Sequence, residues 1–146
     1  MASRIEVKGL RELGERMKSL SYDVNRKTAR AATNAGAQVI KKLAIQKAPV
    51  SDPSVTPNIP PGQLKKNIVV RYNRKSGLTS EHIVTVRSKG KGVIGQPYRV
   101  GVFQEFGTVH HGKHAFLQPA FDQGKVAAVE AIKKRLQVRI DKAEKQ

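Results

Sequence analysis

Apolar residues recur along this chain in two rhythms, and the rhythm changes where glycine or proline interrupts it. In Arg4-Ile5-Glu6-Val7-Lys8 they alternate, which predicts a short strand with Ile5 and Val7 inward. Past Gly9, Leu10, Leu13, Met17 and Leu20 recur every three or four residues, one face of a short helix. Arg11, Glu12, Glu15, Arg16 and Lys18 make its solvated side. Ser21 is suited to cap a longer helix running to about Ala48, with Val24, Thr28, Ala31, Ala35, Val39 and Leu43 as its stripe. Near the middle of that helix the residues are small (Ala29, Ala31, Ala32, Ala35, Gly36, Ala37), so another element can approach closely, and the sheet or a neighbouring subunit is expected to pack there.

Between Ala48 and Gly62 stand Pro49, Pro53, Pro57, Pro60 and Pro61, and neither helix nor sheet survives that density. The segment reads as a semi-rigid arm that orders against a neighbour, or else as a loose excursion. Ile68, Val70 and Tyr72 alternate, Asn73 to Thr79 turn the chain, and Val84 and Val86 alternate again, a β-hairpin with Arg74 and Lys75 near its tip. Pro97 suits the first turn of a short helix, and Gly107 its end in the left-handed helical conformation. On that helix Val102, Phe103 and Phe106 share a face. Pro119 opens a last helix whose positions Phe121, Ala128, Ile132, Leu136, Ile140 and Ala143 keep helical spacing. At ~1.5 Å per residue it extends about 40 Å, more than a small globule covers, so its far end is expected to meet another subunit or to fray.

The elements add up to an α+β fold. A small, mostly antiparallel sheet is packed by one long central helix and a short N-terminal helix. A long C-terminal helix and an extended Pro-rich loop complete it. We expect one domain over residues 1–146, with the arm at 48–62 and the tail helix at 119–146. All four phenylalanines, Phe103, Phe106, Phe116 and Phe121, fall between residues 98 and 121 in a chain only 5% aromatic. That window is therefore expected to supply the largest block of buried apolar surface.

Charge changes the picture most. The chain carries 28 basic against 11 acidic residues, a formal +17, and residues 24–104 hold only Asp52 and Glu81 as acids. Such a density repels itself unless an anionic partner, nucleic acid or an acidic protein face, lies nearby. Arg26, Lys27 and Arg30 sit in the first turns of the central helix, where the dipole disfavours them, which fits an anionic partner there or else a small tolerated cost. Arg71, Arg74 and Lys75 on the hairpin, with Arg87, Lys89 and Lys91 on the loop after it, are the expected contacts to such a partner. No stretch approaches the ~20 apolar residues of a membrane span, and no apolar signal region follows Met1. The expectation is a protein that works where it is made, or in a particle assembled there.

Candidate chemistry is thin. The chain has no cysteine, which removes disulfides, zinc thiolates and thiol nucleophiles together. Arg87-Ser-Lys-Gly-Lys-Gly92 lacks the Gly-Lys-Ser/Thr that a phosphate cradle needs. His110 and His114 are four apart, but Gly112 lies between them and the nearest acid is Glu105, so loop or interface histidines are expected rather than a metal. No nucleophile–base or paired-carboxylate arrangement is visible, so neither an enzyme nor a cofactor is expected. Glu105, followed by Gly107-Thr108, is read as an acid that anchors the turn through backbone N–H groups or pairs with a neighbour's arginine.

Gln104-Glu105-Phe106-Gly107-Thr108, a loop, then Ala115-Phe116-Leu117-Gln118-Pro119-Ala120 resembles the signature of a phage protein family. These are the tail-completion or head–tail joining (neck) proteins of long-tailed phages, like the tenth gene product of HK-type lambdoid phages. Ala48-Pro49, Gly62-Gln63-Leu64-Lys65-Lys66-Asn67-Ile68 and Gly9-Leu10 with Leu13 and Leu20 resemble its earlier blocks. Pro61 stands where the family usually has Thr, and Val100-Gly101 where it has Tyr-Ala. The resemblance makes Phe103, Glu105, Phe106, Gly107, Thr108, Phe116, Leu117 and Pro119 the structural motif. It implies a structural virion protein of the neck, present in the host cytoplasm during assembly. It also implies a homo-oligomeric ring, a hexamer, between a head connector or stopper and a tail terminator or tail tube, with a contact to packaged DNA and none to membrane. The other reading is a basic, sequence-nonspecific nucleic-acid-binding protein.

Overall fold

The computed structural model describes residues 7–75, 80–88 and 96–146. Its elements in order are α1 (Leu10–Lys18), α2 (Tyr22–Lys47), α3 (Gln63–Lys66), β1 (Ile68–Tyr72), β2 (His82–Val86), α4 (Pro97–Phe106) and α5 (Leu117–Glu144). The α+β reading holds: β1 and β2 form a two-stranded sheet. The bonds Asn73 N to Glu81 O (2.9 Å) and Arg87 N to Asn67 O (2.7 Å) bracket it and fix its antiparallel sense. Residues 4–6 of the expected first strand lie outside the described residues, as do Lys89 and Lys91 of the basic loop. Among the described residues no helix is long and apolar enough to cross a membrane.

The helix ends follow from local chemistry. The Ser21 carbonyl accepts the first bond of α2 from Asn25 N at 2.9 Å, and its hydroxyl stands 3.5 Å from Val24 N. The helix stops where Pro49 denies its predecessor helical geometry. Pro97 occupies the first turn of α4. Gly107 ends it at φ 76°, a positive φ that glycine adopts without strain, with ψ extended at 174° in place of the left-handed helical value expected. The Pro-rich loop carries its own bonds: Ser51 Oγ donates to Ile59 O (3.0 Å) and Pro60 O (3.1 Å), and Asp52 accepts from Ser54 N at 2.9 Å and Ser54 Oγ at 2.7 Å.

The chain forms two compact units, Met1–Val39 with Tyr72–Ile83 and Lys125–Gln146, and Ile40–Arg71 with Val84–Gly124. In the second unit Ala44, Ala48, Leu64, Ile68, Val86, Phe116 and Ala120 form the core, with Leu43, Ile45, Val84 and Leu117 packed against it. A Cβ on Gly101 would stand 2.9 Å from Val86 Cγ2, and one on Gly124 would stand 2.5 Å from Leu43 Cδ1. Glycine at those two positions lets α4 approach β2, and α5 approach α2, at short range. In the first unit the relation is reversed: Gly36 of α2 receives Ile132 of α5, and an added Cβ would lie 2.7 Å from Ile132 Cγ1 and 3.2 Å from Ala128 O. The close approach to the small residues of α2 is present, but α5 makes it where the sheet or a neighbouring subunit was expected.

The rotation of the helix about its axis differs from expectation on α2 and α4, and on α5 at Phe121 alone. The buried line of α2 is Thr28, Ala32, Gly36, Ile40 and Ala44. The expected Ala31, Ala35, Val39 and Leu43 are only half-buried beside it. On α4 the buried residues are Pro97, Gly101 and Glu105, and Phe103 and Phe106 face outward. On α5 Ala120, Gly124, Ala128 and Ile140 are buried, while Phe121, one residue off that line, is exposed. Nor does the far end of α5 stand uncovered: within the first unit Arg16 of α1 binds Asp141 and Glu144, each at 2.6 Å, and Ile140 is fully buried.

Candidate functional site

The motif residues come together around one buried carboxylate. The helical register that places Pro97 and Gly101 inward also turns Glu105 inward, leaving it 7% exposed. There Oε2 accepts from Phe116 N (2.8 Å) and Leu117 N (2.9 Å), and Oε1 accepts from Gln118 N (2.9 Å). The first N–H groups of any helix lack intrahelical partners and carry the positive end of its dipole. Glu105 accepts from three such groups across to another helix and fastens the end of α4 to the start of α5. Pro119, with no N–H to satisfy, follows in the same first turn. Burial alone raises the Glu105 carboxyl; the three N–H donors and the charge of Lys113 outweigh it and hold the group below its ordinary value. Glu105 thus anchors the turn through backbone N–H groups of its own chain.

The loop between the two halves of the motif is built to let that carboxylate reach. A Cβ at Gly107 would meet Lys113 N at 3.1 Å. Thr108 N donates to His111 O at 3.0 Å, and Thr108 Oγ1 accepts from His110 N and His111 N at 3.2 Å. His114 N returns to Gln104 O at 2.8 Å. His110, His111 and His114 are exposed loop residues. Among the described residues no group of three or more His, Asp or Glu is placed to hold a metal.

Phe116 fills the core at 0% exposure, with Leu117 against it. The other three phenylalanines do the opposite: Phe103 is 46%, Phe121 53% and Phe106 75% exposed. The expected aromatic block is therefore one core residue and three surface residues. The carboxylate explains α4, because a helix turned to bury positions 101 and 105 must present 103 and 106 to solvent.

Of the expected basic contacts, Arg71 on β1 and Arg87 after β2 are exposed in the second unit, and Arg74 and Lys75 are exposed in the first. None of these four has a carboxylate partner among the described residues, where the ion pairs are those of Arg16 and Lys18. Sequence reasoning singled out Arg26 and Arg30 but missed the rings they lie on. Arg30 lies over the Tyr72 ring at 4.4 Å, and Arg26 over Tyr22 at 5.8 Å. The second of these was signalled by the i, i+4 spacing of Tyr22 and Arg26; the first needed the docked hairpin.

The family model described as "Bacteriophage HK97-gp10, putative tail-component" matches residues 11–107. The chain belongs to the HK97-gp10-like family of phage tail components. The match covers about two thirds of the sequence, from α1 to the end of α4, and includes Glu105, Phe106 and Gly107. Phe116, Leu117 and Pro119 lie beyond it, so the carboxylate joins the matched part of this HK97-gp10-like chain to residues outside the match. Neither a curated protein nor a solved structure matches the chain. Membership makes this a structural phage-tail protein, whose surroundings are other virion proteins.

Proposed function

We propose that the protein is a neck component that assembles into a ring, completes the tail and joins it to the head connector. The observation that carries this reading is the exposure of Phe103, Phe106 and Phe121 inside the motif whose Glu105 and Phe116 are buried. A chain that leaves three phenylalanines in water around a rigidly tied helix junction offers a preformed apolar surface to a neighbour. Aromatic side chains of that kind anchor protein interfaces, and the energy of association concentrates in them. The neighbour is a second copy of the chain, six copies matching the symmetry of a tail tube. The faces of the ring then meet the head connector or stopper on one side and the tail terminator or tube on the other.

The basic side chains Arg71, Arg74, Lys75, Arg87, Lys89 and Lys91 are assigned to the acidic surface of a neck neighbour or to DNA in the channel. The test is a phage lacking this gene, supplied with wild-type or substituted protein and viewed by electron microscopy. Without the protein, filled heads and separate tails should accumulate. Wild-type protein should restore joined particles. Replacement of those six residues by glutamine should leave the protein folded and the particles unjoined. Joined, infectious particles in its absence overturn the reading. A role as a free nucleic-acid binder is separated by the same micrographs, since loss of that role leaves heads and tails joined.

A further inference from the structure

The first unit carries a second surface that the motif does not use. Arg26 and Arg30 lie one turn apart on α2, both exposed, and each guanidinium stands over a tyrosine ring. Tyr72 is tilted against His82 with ring centroids 5.1 Å apart. His82 Nδ1 meets Thr33 Oγ1 at 2.7 Å, and that hydroxyl lies 3.0 Å from Ser80 Oγ. These contacts fasten the hairpin to α2 within the unit, and Arg74 and Lys75 follow Tyr72 by two and three residues, exposed.

Neither Arg26 nor Arg30 has a carboxylate partner among the described residues. Asp23 lies exposed in the first turn of α2, and Glu81 accepts from the Asn73 amide at 2.8 Å. A guanidinium laid over a ring keeps its N–H edge free, the edge that pairs bidentately with phosphate. Holding the side chain on the ring also removes rotamer freedom before any ligand arrives. The chemistry of the surface separates its possible partners. Interfaces between proteins have cores depleted in charge, and the exposed phenylalanines that would build one belong to the other unit. Interfaces with DNA are polar and strongly positive, as this surface is.

We propose that this face of α2 and the hairpin binds the phosphate backbone of duplex DNA without reading its sequence. Arg26 and Arg30 are the principal contacts, with Arg74 and Lys75 extending them. The proposal deepens the DNA contact of the neck reading, and rests on it only for the presence of DNA nearby.

The experiment uses the full chain and a labelled random-sequence 30-base-pair duplex, with affinity measured across a salt series. Arg26→Gln/Arg30→Gln should weaken binding roughly tenfold and make the log–log salt slope shallower by about 2, since each phosphate contact contributes about 0.9. Arg30→Lys should fall between wild type and the double variant. Lys134→Gln/Arg135→Gln makes the same change in net charge elsewhere in the unit and should leave affinity and slope near wild type. Equal loss in both double variants, or none in the first, overturns the proposal. So does poly-glutamate competing as well as duplex, which would assign the surface to an acidic protein. Ring mass, read separately by light scattering, should be unchanged in Arg26→Gln/Arg30→Gln. A chain that binds DNA as described but never forms rings would sink the neck reading and leave this one standing.

Discussion

Surface aromatic residues in the two units differ in kind. In the second unit they include Phe103, Phe106 and Phe121, which have no polar handle, set around a junction tied by Glu105 and filled by Phe116. In the first, Tyr22 and Tyr72 lie beneath arginines that have no acidic partner among the described residues. Apolar rings in water are satisfied by another protein surface, and arginines held over tyrosines by an anion. The two units thereby offer chemically distinct surfaces.

The largest expected effects test the contrast within the phenylalanines. Phe116→Ala should cost about 3–5 kcal/mol, the range for removing a buried aromatic side chain. Phe103→Ala should change the stability of the isolated chain by less than about 0.5 kcal/mol, as exposed substitutions do. Denaturant unfolding of the two variants measures both. Similar losses would mean that the four rings act as one core after all.

Glu105→Gln comes next, at about 2–3 kcal/mol near neutral pH, because a charge-assisted acceptor for three N–H groups is replaced by a group with one oxygen. The sign with pH follows from the direction of its shift. Glu105 titrates below its ordinary value of 4.5 when folded, so its contribution is fully present above that value. It is lost as pH falls through the lower, folded value. The gap between wild type and Glu105→Gln should therefore close in acid, a result that thermal melts across pH 3–7 would show. A gap independent of pH would assign the loss to packing. Burial, and then the charge of Arg30, hold His82 below its ordinary value of 6.5. Wild type should accordingly begin to lose stability below pH 6.5, where the unfolded chain takes up that proton first.

Gly36→Val sharpens the comparison of the two helix contacts. Its branched side chain would press on Ile132 and on the fixed carbonyl of Ala128, at a cost of about 1–3 kcal/mol for overpacking. Gly124→Ala meets the movable ends of Leu43 and Ile40 and gains about 1 kcal/mol of helix propensity, so it should be the milder change by denaturant midpoint.

Element boundaries were readable in the sequence because single residues set them: Ser21, Pro49, Pro97 and Gly107 act through backbone chemistry that needs no tertiary context. The phase of each helix was not readable to the same precision. On α2 the buried line runs through Ala32, Gly36 and Ala44, whose small side chains weigh little in an apolar pattern, so larger neighbours drew the stripe aside. On α4 the inference from apolar to inward failed, because large apolar residues also build surfaces and a carboxylate had claimed the inward position. Of the two roles the sequence left open for Glu105, backbone donors or a neighbour's arginine, the geometry shows the first. Arg16 binding Asp141 and Glu144, and Arg30 over Tyr72, join residues far apart in sequence and leave no local mark.

The most direct measurement is the count of joined particles made by a phage whose only copy carries Phe103→Ser/Phe106→Ser. The purified variant should unfold within about 0.5 kcal/mol of wild type, and its particles should remain as separate heads and tails. Joined particles at wild-type frequency from that variant would contradict the claim that these rings await a neighbour.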